Sequence, residues 1–87
     1  RNSLWDTTNL TAPAGTEVTV VMDNQDAGVI HNFSVYTNRN ATTAVFTGPI
    51  TTGPAVIDNT FTAPIAGSYF FRCDAHPDTM TGTFVTR

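Results

Sequence analysis

Apolar and polar residues alternate along much of this chain. From Glu17 to Asp23, Val18, Val20 and Met22 fall on one face. Val29, His31, Phe33 and Val35 share a face in the next run, and Tyr69, Phe71 and Cys73 share one later, with Phe70 and Arg72 opposite. Successive side chains of an extended chain point to opposite sides, so this period of two predicts strands that each lay one face on a core. Gly28, Gly48-Pro49, Gly53-Pro54, Gly67 and Gly82 break the pattern into strand-length pieces. About seven short strands are predicted, near 4–11, 16–23, 29–37, 43–47, 55–62, 67–73 and 81–86. The stretch from Asn38 to Thr52 is the least patterned, with room for a loop or one helical turn. Short strands punctuated by Gly and Pro, with no helical periodicity, predict an all-β protein, an antiparallel sandwich or barrel.

Composition agrees with that reading. Seventeen Thr, eight Val and six Phe stand against two Leu, which suits pleated, half-buried surfaces better than long helices. With 87 residues, 1–87 reads as a single domain. A domain of this size buries only about 60–65% of its unfolded surface, so its core needs good patterning or a supplement. A disulfide cannot be that supplement, because Cys73 is the one cysteine. The net charge is −3, and the four cations are Arg1, Arg39, Arg72 and Arg87, two of them at the chain ends. That spread leaves no basic patch for nucleic acid, and no apolar run approaches the roughly 20 residues of a membrane span. The chain opens on Arg1, which reads as a processed or excised domain with any signal or anchor upstream.

Four side chains then change the picture. His31 is followed far downstream by Cys73, His76 and Met80, the last three within one eight-residue segment. Two imidazoles and a thiolate with a weak, distant thioether form the donor set of blue copper centres. Thiolate and thioether favour Cu(I), and imidazole accepts both oxidation states, so this set suits a centre that gains and loses one electron. Each residue also has a plainer reading: Cys73 as a small buried apolar side chain, His31 as a satisfied core histidine, Met80 as a gap-filler, Asp74 and Asp78 as solvated loop charges. The chain has only two His and one Cys, so their arrangement as Cys-x2-His-x3-Met after a strand, with a second His upstream, favours the metal.

At these residues the chain resembles the cupredoxins, the plastocyanin, azurin and amicyanin group of small blue copper proteins. His31-Asn32-Phe33 resembles the segment that supplies the first ligand. Gly67-Ser68-Tyr69-Phe70-Phe71-Arg72-Cys73 is similar to the strand leading to the thiolate, and Met80-Thr81-Gly82-Thr83-Phe84-Val85 to the start of the final strand. The resemblance implies a Greek-key β-sandwich with one type 1 copper at one end. It implies His31, Cys73 and His76 as equatorial ligands, Met80 as the axial one, and Asn32 as a tie between the two ligand segments. The Cys73-to-His76 gap is that of plastocyanin and amicyanin, whereas the three residues between His76 and Met80 match azurin. An ionised Asp74 beside such a centre is expected to favour Cu(II).

The function expected from this resemblance is one-electron transfer, by a small carrier or the copper domain of a larger protein. Catalysis is not expected. Transient redox partners are expected to dock near His76, on a monomeric domain in the periplasm or at the cell exterior. Copper handling without electron cycling is the alternative, followed by a zinc-binding or metal-free Ig-like interaction domain.

Overall fold

The computed structural model describes residues 4–87. Among the described residues nine strands make up the fold: β1 (Asn9–Ala12), β2 (Glu17–Asn24), β3 (Ile30–His31), β4 (Ser34–Tyr36), β5 (Ala44–Thr47), β6 (Thr51–Thr52), β7 (Ala55–Thr62), β8 (Gly67–Arg72) and β9 (Thr81–Thr86). One layer is a five-stranded sheet in the order β1-β9-β8-β4-β5, and the other strands pair as β2-β7 and β3-β6. The expected sandwich is present, with two corrections. The pairing is not wholly antiparallel, since β1 runs parallel to β9. The strand expected over 29–37 is two strands.

That split has a local cause. Ile30 and His31 pair with Thr52 and Thr51, whereas Ser34 to Tyr36 pair with β5 and β8. The chain changes partners at Asn32-Phe33, where the Phe33 carbonyl accepts from the Gly48 amide instead of a ladder partner. The first predicted strand is also shortened. Residues 4–8 precede β1, and Trp5 still packs its ring on Phe33 and Phe71 at 6.3 and 6.0 Å. Arg1, named in the charge pattern, lies outside the described residues. The weakly patterned 38–52 stretch holds β5 and β6 and no helix.

The alternation of β2 behaves as predicted. Its eight residues pair one-to-one with β7, placing Val18 opposite Phe61, Val20 opposite Asn59 and Met22 opposite Ile57. Met22 and Phe61 join Phe33, Val35, Ala63, Phe71 and Phe84 in one buried cluster between the layers, while Val21 and Val56 face outward. Phe33 lies 5.4 Å from Phe71, Phe46 stacks on Phe61 at 4.9 Å, and Phe61 meets Phe84 edge-on at 5.8 Å. Burying each such side chain is worth about 1.5–3 kcal/mol, and offset or edge-on rings add to it. This aromatic core supports the rim above it. Because Ser34 pairs with Arg72 antiparallel, the residues before β4 are carried alongside those after β8. His31 and Asn32 therefore arrive beside Cys73 and Asp74.

Candidate metal centre

Cys73 follows β8 and is fully buried. Its amide donates to the Met80 carbonyl at 2.9 Å, which extends the β8–β9 ladder one step past the Arg72–Thr81 pair. The residues between form the loop of a hairpin. Inside it the His76 amide donates to the Cys73 carbonyl at 3.1 Å, and the His76 carbonyl accepts from Met80 at 3.1 Å. These turns curl His76 and Met80 back over the thiol.

The other imidazole comes from β3. His31 Nδ1 and His76 Nδ1 lie 3.7 and 3.6 Å from Cys73 Sγ, and the three donor atoms fall within 4.8 Å of one another. An ion bonded to nitrogen at about 2.0 Å and to thiolate at about 2.3 Å, with angles near 120°, sets N and S about 3.7 Å apart. The triad thus fits a bound metal ion. Met80 is buried, tied through its backbone to both Cys73 and His76, and lines the same small cavity as His31. His31, Cys73, His76 and Met80, the residues singled out from the sequence, therefore meet at one end of the sandwich.

Asn32 joins the two segments as the resemblance implied. Its amide points at Cys73 Sγ at 3.5 Å. Its side-chain oxygen accepts from the Asp74 amide at 2.7 Å, and its Nδ2 lies within donating distance of Ser34 Oγ, the Gly48 carbonyl and Asp74 Oδ2.

Asp74 corrects the sequence reading. It is no solvated loop charge: its carboxylate accepts from Asn32, Ser34, Tyr36 and Arg72 at 2.6–2.9 Å. Burial alone would raise its pKa, but donation from Tyr36, Asn32, Ser34 and Arg72 outweighs that and holds it at about 2. The carboxylate is ionised, as expected, yet its charge is balanced by Arg72, whose guanidinium also lies 4.8 Å above the Tyr36 ring.

One partner was missed. Asp26 Oδ2 lies 2.7 Å from His31 Nε2. A carboxylate only accepts, so Nε2 donates to Asp26 and Nδ1 is the ring nitrogen that faces Cys73. In the sequence, Asp26 before Gly28 reads as turn chemistry.

By sequence alone the chain matches no protein-family model and no curated protein. Solved structures do match. Auracyanin A, a "blue" copper protein from the green thermophilic photosynthetic bacterium Chloroflexus aurantiacus, aligns with a TM-score of 0.86 at 27% identity, over 97% of this chain and 89% of its own. Dithionite-reduced auracyanin from Roseiflexus castenholzii aligns at 0.82 and 22% identity, over 94% and 86%. An amicyanin variant in the reduced Cu(I) form aligns at 0.65 and 28% identity, over 97% and 73%. With this sandwich and a buried His-Cys-His triad at its end, the chain is similar in fold and in this triad's residue types to blue copper proteins of known structure.

Proposed function

We propose that residues 1–87 form a single electron-transfer domain that holds one type 1 copper through His31, Cys73 and His76, with Met80 as a weak fourth donor. The observation that carries this reading is the buried thiol with an imidazole Nδ1 on either side at 3.6 and 3.7 Å. The likeness to auracyanin A supports copper as the ion. When bound, copper supplies a one-electron Cu(II)/Cu(I) couple.

The protein's part is to hold the donors still. His31 is locked on its far side by Asp26, Cys73 sits between the Asn32 amide and the Met80 carbonyl, and Met80 closes the hairpin. Little rearrangement is then needed as charge changes. The two histidines differ in exposure: His31 is buried, whereas His76 is only partly so. His76 is thus the side chain through which a partner would reach the centre, flanked by Ala75 and Pro77. A small apolar contact of this kind suits transient redox encounters, and the net charge of −3 favours a basic partner. A copper thiolate that cycles between oxidation states fits a location outside the cytoplasm, in the periplasm or at the cell exterior. No helix among the described residues is long and apolar enough to cross a membrane. Its role is carriage of electrons rather than catalysis.

Adding Cu(II) to the purified chain should give intense visible absorption that Cys73→Ser abolishes, with reversible voltammetry. A colourless protein with only weak surface binding overturns the proposal. Very tight Cu(I) binding with sluggish redox would instead assign the domain to copper handling.

A further inference from the structure

We propose that Asp26 is a positioning residue for His31 whose fixed negative charge biases the centre toward Cu(II); this rests on the copper reading above. The Asp26–His31 contact is short, at 2.7 Å, and shielded, the two side chains being 10% and 2% exposed. A carboxylate on the outer nitrogen of a metal-bound imidazole does two things. It fixes the tautomer and the ring plane, and it raises the electron density that the imidazole donates. The first strengthens binding of either ion, and the second favours the more highly charged one.

The loop carrying Asp26 is built for this placement. The Asp26 amide donates to Asn24 Oδ1 at 3.0 Å, and the Val29 amide donates to the Asp26 carbonyl at 3.1 Å. Asn24, itself buried, sends its Nδ2 to the Val29 carbonyl at 3.0 Å and to the Thr51 carbonyl at 3.2 Å. Gly28 takes a positive φ of 75° and donates to the Gly53 carbonyl, while the Gly53 amide donates to the Val29 carbonyl. Gly53 packs so closely that a Cβ there would collide with the Asp26 carbonyl and with Asn24 Oδ1. Loop 24–29 is therefore clamped at both ends, and β3 leaves it directly toward His31. Asp74, whose carboxylate also lies near the centre, pairs with Arg72. Asp26 meets an imidazole of the ligand set directly.

The test compares Asp26→Asn and Asp26→Ala in the copper-loaded chain, with Asp23→Asn as a charge control that does not touch His31. Asparagine keeps an acceptor for Nε2–H but drops the charge. Cu(I) affinity should then stay near wild type, while Cu(II) affinity falls about tenfold, read as a rise of about 59 mV in potential. Alanine removes the acceptor as well. Copper affinity should fall about 10–100-fold, and nitrogen-15 NMR of the metal-free chain should show His31 moving from one tautomer to a mixture. Asp23→Asn should shift the potential far less. The proposal is overturned if both Asp26 variants keep the wild-type potential and His31 nitrogen shifts, or if Asp23→Asn moves the potential as far as Asp26→Asn. Should the wild-type chain form no blue centre, the copper reading fails by itself, and the NMR comparison still decides whether Asp26 locks His31.

Discussion

Asn32 and Asp74 hold each other through two hydrogen bonds: the Asp74 amide to Asn32 Oδ1 at 2.7 Å, and Asn32 Nδ2 to Asp74 Oδ2 at 2.8 Å. Forty-two positions apart, they fasten the His31 segment to the Cys73 loop. Replacing Asn32 with Ala leaves the Asp74 amide and the Gly48 carbonyl without their side-chain partner in a buried place. Each orphaned group costs about 1–3 kcal/mol. Urea denaturation of metal-free Asn32→Ala should therefore show a loss of at least about 2 kcal/mol, and copper should bind more weakly.

The Asp74 network predicts a specific acid sensitivity. The folded carboxyl titrates at about 2, below its ordinary 3.8. Below about pH 4 the unfolded chain therefore takes up the proton first, and stability drops as pH falls toward 2. It is fully present above that range. Solvent reaches the partly exposed pair, so the decrement is about 1–2 kcal/mol. Denaturation of the metal-free chain between pH 2 and 5 measures it, and Asp74→Asn should lose this part of the pH dependence while being less stable at pH 7.

Met80 serves as both core filler and proposed donor, and Met80→Leu separates the two roles. Volume is kept, so the metal-free chain should lose less than about 1.5 kcal/mol. The loaded chain should change colour and rise in potential, because an apolar branch in place of the thioether disfavours the more charged Cu(II). An unchanged spectrum and potential would leave Met80 with packing alone.

Gly82 is the second residue of β9, where the ring of Phe71 and the carbonyl of Thr8 close in. An added Cβ would collide with the Phe71 ring and come within 2.6 Å of that carbonyl. Gly82→Ala should destabilise the fold by about 1–3 kcal/mol through overpacking. Gly67→Ala, where the nearest atom is an ordinary 3.6 Å away, should cost less than Gly82→Ala. A melting comparison of the two variants checks this.

The clustering of His31, Cys73, His76 and Met80 was legible in the sequence because the last three lie within one hairpin loop, where spacing nearly dictates geometry. His31 was legible because alternation put it on the core-facing side of a strand. The β2 and β7 faces were legible for the same reason. What escaped depends on contacts that no local pattern encodes. The split at Asn32-Phe33 arises because β3 and β4 answer to different partners. The parallel β1–β9 pairing joins strands from opposite ends of the chain. Asp74 looked like a loop charge because its donors come from β4 and β8 together. Asp26 reaches His31 only because loop 24–29 turns back on itself, held by Asn24 and by Gly53, which is remote in sequence.

The unequal burial of the two imidazoles separates two kinds of substitution. Substitutions around Asp26, Asn24 and Gly53 reach the inner histidine without altering the docking surface proposed around His76. Changes at Ala75, Pro77 and their neighbours alter that surface without touching the inner clamp. On the proposed function, driving force and partner choice are thus set by separate residues of this fold.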